Sequence, residues 1–476
     1  RNHYQVLYFD FSKAGCSVPG DGMMASFNEY SSLVINQFAD DYASFYDPDF
    51  KSTVESISSA KAKLSYIELK AKAKGYPLYL TIDEYDNFTN VILSEHGQKM
   101  FHDLTHASGF YREYFKQYKG MFDRIFLMGV SPVTLDDLSS GYNIDWNIST
   151  DSRFNAMMGF SETEVREMFR YYQENDALPG DIEAMIAEMK PWYDNYCFAR
   201  MSLGDDRVFN CDMTLYYLRS QFDFHRSPEE MVDKNIRTDY SKLKMLARID
   251  HDSAHEGSRM STIEEIATKG EILVNLHTSF PAERVADVDN FRSLLYYYGL
   301  LTMCGTRGDR LRMCIPNHCV REQYFGFLRE YYQQAHPLDL SRLKDQIDDL
   351  AYDGVWKPFF ESIACAYREN SSVRDGMEGE RNLQGFLKAY LALASYYLVE
   401  PELEMNYGYC DFFLLPDKQR YRTLSTATSS NSNTLPAPLP MRNLQCKPTK
   451  GIANFFNTAK IKWPDNWRRG RLFTGC

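Results

Sequence analysis

Short apolar runs alternate with helical patterns through the first third of the chain. Tyr4 to Phe11 (YQVLYFDF) is β-rich and closes on an acid. Residues 51–74 are rich in Lys, Ala, Glu and Ser, carry apolar residues at helical spacing, and predict one helix. Tyr76 to Asp83 (YPLYLTID), also ending in acids, and Phe122 to Val130 (FDRIFLMGV) are two further runs. Such alternation predicts a parallel sheet covered on both faces. Past Gly141 the pattern turns helical. Phe160-Ser161-Glu162-Thr163-Glu164-Val165 is a helix start: Ser161 caps, Glu164 reaches back, and Phe160 staples onto Val165. Residues 160–330 then predict several helices, and 338–400 more, ending in the apolar stretch Phe386 to Val399. Glu400 to Met405 and Tyr409 to Leu415 predict a hairpin around Asn406-Tyr407-Gly408.

The chain has 476 residues, enough for two or three domains. With 44% apolar and 25% charged residues it has the balance of a soluble globular protein. A net charge of −12 excludes a surface coated in basic residues for nucleic acid but leaves room for a local basic groove. No apolar run approaches the roughly 20 residues of a membrane span. The start, Arg1-Asn2-His3-Tyr4, has no apolar signal-peptide segment and no initiator Met, so it is not expected to be the natural N-terminus. Ten scattered cysteines show no CxxC spacing and read as reduced thiols in a cytoplasm. Cys304, Cys314, His318 and Cys319 match no common zinc spacing, so buried thiols in a Tyr-rich segment are the preferred account.

Two constellations carry candidate chemistry. The first is Leu78 to Glu84, an apolar strand running into Asp-Glu. In a P-loop ATPase this is the Walker B arrangement, which holds the acids at the sheet's C-terminal edge. Asp83 would help hold Mg²⁺ and Glu84 would polarise the attacking water. Acids also end strands simply to begin a turn, and Asp86 is better read that way. Ser131, after the next strand, either orients the water or γ-phosphate or is a plain strand-to-loop serine. Arg153 either reaches a phosphate in a neighbouring subunit or, preferably, makes a structural ion pair.

LTIDEYDNF (80–88), LMGVSPVTLDDLSSGYNI (127–144), RFNAMMGFSETEV (153–165), PWYDNYCF (191–198) and VFNCDMTLYYL (208–218) together resemble the bacterial AAA-ATPase-like family over roughly residues 1–320. The resemblance implies an α/β protein with a P-loop NTPase-type parallel sheet, a helical or winged-helix lid region, and a C-terminal domain similar to the PD-(D/E)XK nucleases. It implies ATP and Mg²⁺ as cofactors, Walker B roles for Asp83 (the metal acid) and Glu84, and a sensor-like role for Ser131. One departure is serious. The family's Gly-Lys-Ser loop precedes the strand matching Tyr4 to Asp10, and no G-x-x-x-x-G-K-[ST] occurs in these 476 residues. Without that N–H cradle and its lysine, little holds the β- and γ-phosphates. The sheet is therefore expected to be N-terminally truncated and the chain not to bind ATP tightly.

The second constellation is Glu402-Leu403-Glu404 followed by Gly408 to Leu415, which looks like the first half of a PD-(D/E)XK core. Asp411 is the candidate metal acid, Glu402 a weaker one, and Glu380 could help from the preceding helix. The nuclease core next needs Glu-x-Lys on one face of a strand, the Glu for metal and the Lys for the scissile phosphate. No glutamate follows Asp411. Residues 423–476 hold no Glu or Tyr, and eight Lys/Arg against one Asp. If the serines use TCN codons, a one-base shift permits Ile-Ile-Glu-Leu-Lys-Tyr across Ser429 to Thr434, a natural third strand. The tail is thus expected to be either an out-of-frame translation, the favoured reading, or a divergent basic tail.

The expected organisation is an ATPase-like core at 1–155, a lid region at 156–330, a partial nuclease-like domain at 338–422 and an aberrant tail at 423–476. Three functions follow: a fragmentary ATPase–nuclease that is inactive as it stands, an active ATPase whose phosphate loop comes from a missing segment, or a non-enzymatic module retaining the fold for nucleic-acid or protein contacts. Nucleic acid is one candidate partner, and a membrane is not expected. Oligomeric state and pathway are not legible.

Overall fold

The computed structural model describes residues 3–424 apart from 15–20, 88–90, 92–108, 131, 133–145, 176–177, 179, 206, 234–240, 248–252, 282–283, 286, 336, 372–379, 406–407, 418–420 and 422–423. The chain divides into two compact units. Unit 1 is residues 1–151, 245–259 and 274–301; unit 2 is 152–244, 260–273 and 302–476.

Unit 1 is built on a parallel sheet in the order β1 (Gln5–Asp10), β2 (Leu78–Asp83), β3 (Arg124–Leu127). Helices α1 (Asp21–Asp41), α2 (Phe50–Ser56), α3 (Ala60–Lys74) and α4 (Phe110–Met121) make the crossovers. In α1, Met23, Phe27, Ser31, Ile35 and Phe38 recur every three or four residues as one buried stripe. In α4, Tyr111, Tyr114, Phe115 and Tyr118 do the same. The helix expected over 51–74 is two helices. Ile57 and Ser59 take extended backbone between them. Residues 56–59 (Ser-Ile-Ser-Ser) are poor helix formers whose hydroxyls compete for backbone groups.

The sheet's two faces differ. Leu78, Leu80 and Ile82 of β2 and Leu7 and Phe9 of β1 are buried on one face, each worth about 1.5–3 kcal/mol. On the other, Val6 and Tyr8 remain 45% and 48% exposed, so the expectation of a sheet covered on both faces holds for one face only. On β3, Ile125 to Leu127 are only half-buried.

Unit 2 begins with β4 (Phe160–Ser161), α5 (Glu162–Glu174), α6 (Ile182–Tyr193), β5 (Val208–Phe209) and α7 (Cys211–Phe224). The capping box is present: Ser161 Oγ accepts from Glu164 N at 3.2 Å, and Glu164 Oε2 accepts from Ser161 N at 2.8 Å. Phe160 packs on the core containing Val165, Phe169, Met189, Trp192 and Tyr217. Beyond α8 (Ser241–Ala247) and α9 (Ser253–Lys269) the helical reading of 160–330 is incomplete. β6 (Glu271–Val274), β7 (Thr302–Arg307) and β8 (Arg310–Cys314) form a sheet in the order β6-β8-β7. After α10 (Val288–Tyr297, in unit 1) come α11 (His318–Ala335), α12 (Leu340–Asp348), α13 (Lys357–Ser371) and α14 (Glu380–Leu391). The apolar stretch 386–399 does not stay helical: α14 ends at Leu391 and β9 (Tyr397–Met405) begins six residues later, pairing antiparallel with β10 (Gly408–Pro416). An apolar run rich in Tyr and Leu suits either state, and cross-strand pairing decides it here. The tail from 425 lies outside the described residues.

Candidate functional site

Two parallel strands deliver carboxylates to one edge. The register sets Asp10 beside Asp83, each the last residue of its strand, at the sheet's C-terminal end. Asp10 is committed locally. Its Oδ1 accepts from Ser12 Oγ at 2.6 Å and Ser12 N at 3.1 Å, and Lys13 Nζ lies 3.0 Å from Oδ2. The Ser12 hydrogen bond first, then Lys13, holds this carboxyl below the usual range. Asp83 is half-buried. Its Oδ1 accepts from Glu84 N at 3.0 Å and its Oδ2 from Tyr8 Oη at 3.2 Å.

After Asp83 the chain turns sharply. Glu84 adopts φ 51°, a left-handed conformation that costs a non-glycine residue about 1–3 kcal/mol. The turn is fastened on both sides. Met128 N donates to Ile82 O at 2.8 Å, Tyr85 N donates to Met128 O at 3.0 Å, and Asn87 N donates to Glu84 O at 3.0 Å. Buried Tyr111 donates its hydroxyl to Tyr85 O. The result separates three neighbouring acids: Asp83 half-buried at the strand end, Glu84 exposed, Asp86 buried. Asp86 Oδ1 accepts from Val130 N at 3.1 Å, so it ties the turn to the segment after β3. Gly129 leaves the room: a Cβ there would stand under 3.0 Å from Asp86 Oδ1 and the Tyr85 ring. Burial, joined by the charges of Asp86 and Glu84, pushes the Tyr298 phenol up, which places that tyrosine near the acids.

Of the sequence-proposed residues, Asp83 and Glu84 share this edge, while Ser131 lies outside the described residues. Arg153 sits in the turn Ser152–Phe154 with its guanidinium 6.0 Å from the Phe154 ring centre. Sequence reasoning did not single out Asp10, Tyr8, Gly129 or Tyr298. Asp10 had a signal, an acid closing a matching apolar run; Tyr298 had none.

The hairpin orders the second constellation. Cys410 pairs with Leu403 and Phe412 with Pro401, so Asp411 and Glu402 occupy the register step between. Cross-strand neighbours share a face, and so do alternate residues along a strand. The register thus sets Asp411 opposite Glu402, Tyr409 opposite Glu404 and Phe413 opposite Glu400. Glu380 opens α14. Among the described residues, no three His, Cys, Asp or Glu side chains gather into a metal site.

The donor set bears on nucleotide binding. Asp83 and Glu84 suit the hydrated-metal side of an Mg–nucleotide. The sequence supplies no Gly-Lys-Ser loop for the phosphates, so the residues present do not fit ATP as a whole.

The chain thus carries a small parallel sheet with acids at its C-terminal edge and, further on, a helix followed by an antiparallel hairpin. Residues 1–139 match the AAA-ATPase-like family, described as a predicted AAA-ATPase, and residues 378–426 match the PD-(D/E)XK nuclease superfamily. No curated protein and no solved structure matches the chain. Among the described residues, no helix is long and apolar enough to cross a membrane.

Proposed function

We propose that this chain is an ATPase–nuclease-type protein with each catalytic centre half built, so that as a 476-residue chain it neither hydrolyses ATP nor cleaves nucleic acid. The observation that carries it is the Asp83–Glu84 strand end. A metal acid and an exposed water-orienting acid are held at the ligand edge of a parallel sheet, in a left-handed turn fastened by four hydrogen bonds. Asp83 takes the Mg²⁺ side, Glu84 the water, and Ser131 the sensor-like position on a P-loop-type sheet. The phosphate cradle belongs to a Gly-rich segment this sequence does not contain.

The hairpin supports the second half of the reading. Asp411 with Glu402 opposite offers acids for a divalent metal at a scissile phosphate, and Glu-x-Lys on a third strand would complete it. The nuclease-superfamily match stops at residue 426, just past Tyr421, the last tyrosine, and beyond Glu404, the last glutamate. That supports reading residues from about 423 as out of frame. A single continuous frame, read through an intact relative, would refute it.

The direct test is Mg–ATP titration and hydrolysis by the 476-residue chain, with Asp83→Asn and Glu84→Gln beside it. The expected result is no saturation below about 1 mM and no turnover in any of the three. Micromolar binding that Asp83→Asn abolishes would overturn the proposal. Nucleic-acid binding indifferent to both ATP and Asp411→Ala would instead mark a binding module that keeps the fold without the chemistry.

A further inference from the structure

The β7–β8 hairpin buries one side and charges the other. Met303, Leu311 and Met313 are buried, while Arg307, Arg310 and Arg312 are exposed. A register shift between Met303 and Gly305 sets the glycine opposite Arg312, and Arg307 pairs with Arg310. Directly paired residues share a face of a ribbon, as do alternate residues along a strand, so the three arginines stand together. Gly305 gives Arg312 room to lie across β7, with Nε and Nη2 each 3.1 Å from where a Cβ would stand. Arg312 Nη2 donates to Cys304 O at 3.4 Å, and its Nε lies 3.7 Å from Glu271 Oε2.

A fourth arginine comes from another element of unit 2. From the 3₁₀ turn Arg200–Ser202, the exposed Arg200 reaches the hairpin tip. Its Nη1 donates to Asp309 O at 3.4 Å and its Nη2 to Gly308 O at 3.5 Å. Both acceptors are backbone carbonyls, so the positive charge is not cancelled. Arg307 and Arg310 have less still. Among the described residues neither side chain makes a hydrogen bond or an ion pair, and like charges placed directly opposite repel. Other exposed arginines of unit 2 do have carboxylates: Arg219 has Asp223 at 3.4 Å and Arg226 has Glu229 at 2.9 Å. The acids on the hairpin and its neighbouring strand are Asp309 in the turn and Glu271 at Arg312. Four guanidinium groups against two carboxylates leave a positive surface on a chain whose net charge is −12. Pairing Arg307 with Arg310 does nothing for folding; a bound polyanion supplies the partner both lack.

We propose that the β7–β8 ribbon is a DNA-contact surface, on which Arg200, Arg307 and Arg310 hold phosphates of a duplex and Arg312 supports them from the adjoining step. The choice of nucleic acid as the polyanion rests on the nuclease-type half of the proposed function. The choice of duplex rests on shape and composition. A two-stranded ribbon fits the major groove of B-DNA, whereas the corresponding groove of an RNA duplex is too deep and narrow. Single-strand surfaces stack bases on aromatic rings, and residues 302–314 include none. Guanidinium contacts to phosphate fix position without reading bases, so binding is expected to be independent of sequence.

The test is fluorescence anisotropy of a labelled DNA duplex of about 20 base pairs, two helical turns, with the whole 476-residue chain. The buffer contains neither ATP nor divalent cations, which removes any metal-dependent contribution from Asp411 and Glu402. Affinity is followed as salt rises from about 50 to about 200 mM. Each lost phosphate contact makes the plot of log affinity against log salt shallower by about 0.9, so Arg307→Ala with Arg310→Ala should flatten it by about 1.8. Over that range wild-type affinity should then fall about 12-fold more than that of the double variant. Arg200→Ala should flatten the plot by about half as much, and lysine at 307 and 310 should restore it. Arg219→Ala should leave it unchanged. Because the double variant removes a repelling pair at an exposed turn, its melting temperature should not fall; if it does fall, Arg200→Ala and the lysine variant decide. Equal slopes for wild type and the alanine variants would overturn the ribbon assignment while leaving the nuclease-type reading untouched. No wild-type binding at about 50 mM salt would overturn the inference and leave the half-built centres to the ATP titration. Tighter binding of a single strand than of the duplex would overturn the duplex as the ligand.

Discussion

Gly129 fixes the geometry of the acidic turn, and Gly129→Ala should damage unit 1 through sterics alone. Gly129 is not among the left-handed glycines, so alanine meets no backbone penalty there. Its Cβ would meet Asp86 Oδ1 and two Tyr85 ring carbons, all closer than 3.0 Å. Neither neighbour can swing aside into solvent, since Asp86 is 1% and Tyr85 4% exposed. Tyr85 is pinned through its backbone to Met128 and Tyr111. Overpacking of this kind costs about 1–3 kcal/mol. If the Asp86 carboxylate shifts, Val130 N–H loses its acceptor, adding about 1–3 kcal/mol. A total of about 2–6 kcal/mol lowers the urea midpoint by about 1–3 M at an m-value of about 2 kcal/mol/M. The assay is urea unfolding read by hydrogen–deuterium exchange of peptides covering β2 and residues 84–87, which reports unit 1 rather than the whole chain. Gly120→Ala in α4 is the control. A Cβ there meets nothing within 4 Å, so it should be neutral or stabilising by up to about 1 kcal/mol. An unchanged midpoint for Gly129→Ala would refute the claim that the turn is packed against this glycine.

Three further outcomes follow from unit-level geometry. Ser161→Ala breaks the capping box of α5 and should lower the stability of unit 2 by about 1 kcal/mol in chemical unfolding, with Ser161→Asn recovering most of it. Lys63, 2% exposed, donates to Asn36 Oδ1 at 2.6 Å and Val54 O at 2.8 Å; Lys63→Ala should cost unit 1 about 2–3 kcal/mol, and an effect below 0.5 kcal/mol, the scale of an ordinary surface change, would contradict the buried hydrogen bonds. Burial, then Arg321, depresses the His318 imidazole to about 3 from its ordinary 6.5. Below pH 6.5 the unfolded chain takes up this proton and the folded chain does not, so stability should fall toward about pH 3, by about 1.4 kcal/mol per unit. His318→Gln should flatten that acid limb of the urea midpoint against pH, and an unaltered slope would count against a neutral, half-buried imidazole.

What could be read from the residue string is local. An apolar run closing on Asp83-Glu84 announces a strand end with acids. Ser161 and Glu164, three residues apart, announce a capped helix. The hairpin is legible because polar Asn406 and flexible Gly408 separate two β-prone runs. Each signal lies within a few residues, where sterics and hydrogen bonding act without knowledge of the rest of the chain. Other features waited for tertiary structure because they join distant residues or divide similar ones. Only a parallel register spanning the α1–α3 crossover sets Asp10 beside Asp83. Asp83, Glu84 and Asp86 are near-identical as chemistry, and only packing against the Gly129 segment buries one and exposes another. The apolar run 386–399 suited helix or strand until β10 offered a partner. Sequence determined the elements and the kinds of residue that end them; burial and strand register, which act between segments far apart in the chain, decided which of those residues meet.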